Sequence, residues 1–336
     1  MKKWIIPTIA IAAAAILLLL LPQRSKPQYF HNQGNIFGTY YNIRYEATKD
    51  LHDAIQQSLQ DFDHSLSMFN PNSIISKINR NESVVTDSLF ECMYCEARAI
   101  SQLSNGAFDI TVRPLVNAWG FGKNTSLDNK ERMLLGSKAQ VDSILAFVGY
   151  RNITLHAHQL TKTDQRITLD ASAIAKGYAC DVIANLLRKH GCNNLLVDIG
   201  GEVVLQGVNH RGSPWRVGIT RPTIDATGAE KELQEVIKST QLCMATSGNY
   251  LQYYIVEGQR RSHTIDPRSG SPVEHSLLSA TVTASSCMRA DALATACMVL
   301  GKNEALKMIE CSEDAACYLI VAEADSLQIF TSSRWK

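Results

Sequence analysis

Short strand-like runs recur in pairs along this chain, with long helical stretches between them. That alternation constrains the fold more than any other feature. Residues 194–198 and 202–206 are rich in apolar and β-branched side chains and flank Gly200-Gly201. Residues 316–322 and 326–330 form a second pair. Residues 153–156 and 166–169 read as a third, turning at Asp164-Gln165. Runs at 37–45, 215–219, 241–246, 250–256 and 278–284 add further strands. Helical spacing marks 50–66, through Ala54, Ile55, Leu59, Phe62 and Leu66. It also marks 73–79, 86–105, 137–148, 171–190, 290–300 and 303–309. Asp50 or Asp53, and Thr86, stand where N-caps belong; Gly149, Gly191 and Gly301 stand where helices stop. No internal repeat is visible. Helices interspersed with hairpin-like strands predict an α+β fold, with mixed or antiparallel sheets covered by helices.

The 336 residues suffice for a large core, and 45% are hydrophobic. A net charge of +1 and the lack of a long basic run argue against a nucleic-acid partner. Lys2 and Lys3 precede an apolar run, 4–21, which as a helix would span roughly 27 Å. That length just crosses a bilayer core. The run meets Pro22 with no small-residue cleavage site, so an uncleaved anchor is preferred over a cleaved signal. The expected organisation is a signal-anchor helix over 1–22, a polar tether over 23–34 and one folded domain over 35–336. Nine cysteines are present; an odd number in an exported chain leaves at least one thiol unpaired within the chain. Cys92-Met-Tyr-Cys95 lies in a helical stretch with no second pair at zinc spacing, and reads as structural or incidental. Cys180, Cys287 and Cys297 read as small core residues.

Several segments can carry chemistry. Asp291 and Thr295 share one helix face at i, i+4 and form a hard oxygen pair suited to Mg²⁺ or Ca²⁺. The plainer alternative is that Asp291 caps the helix. Asp170-Ala-Ser-Ala-Ile-Ala-Lys-Gly177 leads a strand into a helix, where free N–H groups and Lys176 would favour phosphate. The alternative is Asp170 as N-cap with Lys176 solvated. Asp198-Ile-Gly-Gly-Glu202 allows close approach of a ligand, or is a tight turn. Gly106-Ala-Phe-Asp-Ile-Thr-Val-Arg-Pro114 and Trp119-Gly-Phe-Gly122 supply aromatics for ring stacking, or for core packing. His263 precedes the turn Asp266-Pro267-Arg268-Ser269-Gly270 and is either a structural imidazole or a general base.

Taken together the segments resemble the FAD:protein FMN transferase family, ApbE, from about Gly38 to Gly301. The resemblance rests on those motifs with Ser67-Met-Phe-Asn-Pro-Asn-Ser-Ile-Ile-Ser-Lys-Ile-Asn79, Ala245-Thr-Ser-Gly-Asn-Tyr250 and Ala290-Asp-Ala-Leu-Ala-Thr295. It implies an ApbE-like, T-fold-related core. It implies an extracytoplasmic enzyme at the bacterial inner membrane that uses FAD and Mg²⁺. Such an enzyme moves FMN onto a Thr or Ser of exported flavoproteins, such as redox-pump subunits, and releases AMP. Asp291, Thr295 and the backbone carbonyl of Ala173 would hold the metal. Phe37, Phe69, Ala107, Phe108, Asp109, Asp170, Lys176 and Ile265 would line the FAD site, and His263 would be the base. Two other activities fit the same residues: hydrolysis of FAD to FMN and AMP, and FAD binding without catalysis. The chain departs from the family's pattern in lacking a lipobox cysteine, so any anchor is protein. Arg113 stands where a smaller residue is expected, and Ser269 replaces the usual threonine.

Basic residues flank both ends of the apolar run and do not set its orientation; the folded domain is expected outside the cytoplasm. A C-terminal tag should be digested by protease added to intact spheroplasts. A tag protected until the membrane is lysed would overturn that orientation.

Overall fold

The strands are β1 (Gln28–Ile36), β2 (Thr39–Ala47), β3 (Ile153–His156), β4 (Gln159–Lys162), β5 (Leu195–Ile199), β6 (Glu202–Gln206) and β7 (Trp215–Thr220). They continue with β8 (Leu233–Ser239), β9 (Gln241–Gly248), β10 (Tyr253–Val256), β11 (Gln259–Ser262), β12 (Leu277–Thr283), β13 (Ala316–Glu323) and β14 (Ser326–Thr331). The helices are α1 (His52–Leu66), α2 (Ile74–Asn79), α3 (Ser88–Leu103), α4 (Arg113–Ala118), α5 (Lys138–Leu145), α6 (Ala175–Lys189) and α7 (Cys287–Glu310). They come from a computed structural model that describes residues 26–122, 135–222, 232–249, 253–256, 259–323 and 326–335. The apolar run 4–21 lies outside the described residues. Among the described residues no helix is long and apolar enough to cross a membrane.

One eight-stranded sheet, in the order β1-β2-β5-β6-β9-β12-β13-β14, is antiparallel at every pairing. Alternation along each strand gives the sheet two different faces. Ile43, Tyr45, Leu195, Val197, Val204, Ala245, Ala280, Val282 and Leu319 point to the main core under α1, α6 and α7. On the other face Val203 and Leu205 pack against Trp215, and Tyr318 and Ile320 against Ile219. The β7–β8 hairpin thus lies over the face that the helices leave open.

α6 and α7 meet without a side chain between them. A Cβ on Gly177 would stand 2.2 Å from the carbonyl oxygen of Cys287 and 2.8 Å from Asp291 Cβ. The helices also bond each other's ends. Gly177 N donates to Asp291 Oδ2 at 3.0 Å. Cys287 N and Met288 N donate to the two Asp181 oxygens at 3.0 and 2.8 Å. Each carboxylate satisfies N–H groups that a helix start leaves unpaired.

Several expectations need correction. The stretch expected as a tether, 23–34, is strand from Gln28 onward and pairs along its length with β2. An edge strand buries little, so its polar composition hid it. Residues 166–169 form no strand; β3 pairs instead with β4 through Ala157 and His158, both at positive φ (46° and 60°). Alanine carries no turn signal, whereas Asp164 is held by Arg166 at 2.6 Å. Asp87 rather than Thr86 caps α3, at 2.8 Å to Phe90 N, and neither Asp50 nor Asp53 caps α1. The strands β8 and β11 were not anticipated. The expected stop at Gly301 is present as a kink inside α7, at φ 73° and ψ 172°.

The crossing at Gly177 generates a stability prediction. Gly177→Ala should destabilise the fold by about 1–3 kcal/mol, because backbone on the partner helix must move. A urea midpoint within error of wild type would contradict it.

Candidate active site

A cleft of about 520 Å³ opens where α6, α7, the ends of β6 and β9 and the 263–267 segment converge. Its wall includes Ala107, Phe108, Asp109, Asp170, Ala173 and Lys176. It also includes His263, Ile265, Asp291 and Thr295. Ten of the twelve residues singled out from sequence therefore share one cavity.

Asp291 does not cap α7; that role falls to Ser286, whose Oγ accepts from Arg289 N at 3.2 Å. Asp291 sits one turn further in, 2% exposed. Thr295 follows on the same face, its hydroxyl 3.2 Å from Ser247 Oγ of β9. The start of α6 was expected to leave N–H groups free for phosphate. Instead Ala175 N bonds Ala171 O, Tyr178 N bonds Ile174 O and Gly177 N bonds Asp291. The positive end of α6 thus faces a carboxylate of the protein itself. Asp170 is not the N-cap of α6; its carboxylate turns back to Ser172 N at 2.9 Å and to the Ser172 hydroxyl.

Lys176 is half-buried and not free in solvent. It is ion-paired with Glu202 and lies 3.9 Å from Asp291. Glu202 follows the two-residue turn Gly200-Gly201, whose φ values of 64° and 100° suit a tight hairpin that favours glycine. That turn aims Glu202 at the helix face of the sheet. Burial pushes the carboxyls of Glu202 and Asp291 up, and Lys176 pulls both the other way. Burial alone would lower the Lys176 ammonium, but Asp291 and Glu202 together hold it above its usual range. Glu202 Oε2 is buried and has no hydrogen-bond partner among the described residues. Glu202 and Ser247 were not singled out, although each lies in a quoted motif. Their role emerges only when strands from distant segments pair.

The oxygen set suits a hard cation. Asp291 carboxylate, Thr295 hydroxyl and the Ala173 carbonyl are donors of the kind Mg²⁺ takes. The orphaned Glu202 oxygen is a further acceptor lining the same cleft. Among the described residues no three His, Cys, Asp or Glu side chains gather as a metal site.

The opposite wall is aromatic and apolar. Trp119 is core: its indole N–H donates to Gly270 O at 2.7 Å and ties down the turn after Pro267. Phe121 faces the cleft and meets the His263 ring edge-on at 6.3 Å. The 106–122 segment thus serves packing and cleft at once. Asp109 turns both oxygens inward, to Thr111 N and Oγ1 at 2.7 Å and to Tyr150 N at 2.6 Å. Burial still pushes its carboxyl up. Its part is to tie the 109–111 turn to Tyr150. Ile265 is buried, and its strand bridge to Pro272 fixes the segment after His263. Arg113 reaches Met68 Sδ at 3.5 Å, away from that bridge.

Phe37 and Phe69 are not in the cleft wall. Phe37 packs on Phe62 at 5.3 Å. Phe69, 63% exposed, lies over Gly38 of the β1–β2 turn. That turn abuts the β5–β6 turn: a Cβ on Gly200 would stand 2.9 Å from Thr39 and 3.4 Å from Lys176 Cδ. Both rings therefore sit outside the cleft wall, on the Lys176 side.

Cys92 and Cys95 are exposed free thiols on α3, and every cysteine is unpaired among the described residues.

Comparison with known proteins agrees with this arrangement. The ApbE family model matches residues 37–319. An FAD:protein FMN transferase from Vibrio cholerae is 33% identical over 347 residues, covering 100% of this chain and 98% of that protein. One from Escherichia coli is also 33% identical, covering 98% and 96%. The structure of a flavin transferase ApbE from Vibrio cholerae superposes with a TM-score of 0.81 at 32% identity, covering 91% of this chain and 98% of that one. The apo flavinyl transferase ApbE of Pseudomonas stutzeri gives 0.80 at 29% identity, covering 92% and 96%. The chain belongs to the ApbE family.

Proposed function

We propose that this chain, a flavinyltransferase, attaches the FMN half of FAD to a threonine or serine of exported flavoproteins and releases AMP in a Mg²⁺-dependent reaction. The observation that carries the reading is one cleft with a cation-type oxygen pair on α7 and an imidazole on the facing segment. Asp291, Thr295 and the Ala173 carbonyl would hold Mg²⁺. Bound there, the cation supplies positive charge to the pyrophosphate and to the oxygen that leaves with AMP. Lys176, already committed to two carboxylates, orients them and adds a cation beside the phosphates. Phe121, Phe108 and Ile265 exclude water, and the exposed Phe69 ring gives an isoalloxazine a surface on which to stack.

His263 takes the proton of the acceptor hydroxyl as that oxygen bonds to the FMN phosphorus. The bond between that phosphorus and the bridging oxygen breaks, and its electron pair leaves on AMP. The proton passes from the imidazole to AMP or solvent. The apolar run 4–21 supports a membrane-anchored domain acting outside the cytoplasm.

Intact-mass spectrometry of the folded domain with FAD, Mg²⁺ and an exported redox-pump flavoprotein domain tests the reading. A gain of one FMN, lost on adding EDTA, is expected. Free FMN and AMP without a mass gain would mean that water is the acceptor, and intact FAD would mean binding alone. Asp291→Ala should lower transfer by on the order of 100-fold, partly recovered by excess Mg²⁺. Full activity at low Mg²⁺ would remove Asp291 from the metal site. His263→Ala should keep FAD affinity and lose roughly 10²–10⁴-fold in turnover. Unchanged turnover by stopped-flow mixing would place the base elsewhere.

A further inference from the structure

A second cleft, of about 710 Å³, lies on the opposite face of the sheet, between the β7–β8 hairpin and strands β2, β5, β6 and β9. It runs to the end of the sheet that holds the reaction cleft. The two cavities share Thr246 and Gly248 of β9, and the turn residues Gly200 and Gly201 line the second directly before Glu202 lines the first. Its polar character differs from that of the first. Arg44, Arg211 and Arg216 line it as exposed guanidiniums, and none makes a salt bridge among the described residues. Lys238 faces Arg216 across the hairpin, and His210 adds a further nitrogen. Asp198 is the acidic side chain in the lining, and its Oδ1 accepts from Gly201 N at 3.0 Å within the turn. Tyr40, 49% exposed, stands at the same edge as an amphipathic ring.

Unpaired arginines in a concavity raise the local concentration of anions and steer them. In the proposed reaction the phosphates of FAD lie on the other face, beside Asp291. A small anion would need no groove running along four strands. We infer that this groove is where the acceptor protein docks, through an extended acidic segment flanking its target hydroxyl. The segment lies along β7 with its carboxylates on Arg44, Arg211 and Arg216 and its backbone near Tyr40. It passes the hydroxyl over the glycine turn and the end of β9 to the phosphorus. Glycine at 201 leaves that crossing low; among the described residues no atom outside the turn lies within 4 Å of a Cβ placed there. The inference rests on the transferase reading.

The test is the double variant Arg211→Glu/Arg216→Glu, assayed against the exported domain of a redox-pump flavoprotein subunit. Both residues are exposed, so FAD affinity and slow AMP release without acceptor should match wild type and report an intact fold. The KM for the acceptor should rise at least about tenfold with kcat changed little. Wild-type KM should climb with added NaCl, and that slope should flatten in the variant. An acceptor KM within twofold of wild type, with the same salt slope, overturns the docking assignment while leaving the transferase intact. A raised KM for FAD instead would assign the groove to the nucleotide. If wild type releases AMP but transfers no FMN to the domain, the transferase reading falls and docking falls with it.

Discussion

The reciprocal bonding of α6 and α7 is the constraint on which the site depends. Each helix begins with N–H groups that need acceptors, and each receives a carboxylate from the other, Asp291 for α6 and Asp181 for α7. This works only because Gly177 has no side chain at the crossing. Once the helices are that close, Asp291 lies 3.9 Å from Lys176, and Lys176 reaches Glu202 on the sheet. A larger residue at 177 would part the helices and dissolve the charge cluster together with the packing.

The sheet adds a second constraint. Its strands alternate, so consecutive residues serve opposite faces. Ser247 meets Thr295 in the reaction cleft, whereas Thr246 bonds Thr281 on the other side at 2.9 Å. The same alternation sends Glu202 to the helices and Val203 to Trp215. One strand end thereby supplies two cavities. The two cavities meet there, sharing Thr246 and Gly248.

Much of this was legible in the residues. Asp291 and Thr295 could be paired because helix geometry places i and i+4 together wherever the helix sits. Gly301 and the 316–330 hairpin were marked by local chemistry, whereas α5 ends at Leu145, before Gly149. The polar strand β1 was hidden because an edge strand needs no apolar alternation, and the β3–β4 turn because Ala157 and His158 adopt positive φ without a glycine. The reading of Asp170 as a cap and of Lys176 as solvated failed for one reason. Both weighed a helix start by itself, when its partner lay elsewhere in the chain. Trp119 and Phe121, two residues apart, could not be told apart by type; one became core and the other cleft wall.

What the sequence determined by itself is what short-range geometry dictates: an α+β pattern, the oxygen pair on α7, the glycine turns and the imidazole before Asp266. Tertiary structure alone decided which charges meet. Gly177 and Asp291 are 114 residues apart, and Lys176 and Glu202 are 26 apart. Their contacts follow from sheet register and from how closely two helices can pack. Those quantities belong to the whole fold, because the desolvation that makes an unpaired buried carboxylate costly acts only after distant segments have closed over it.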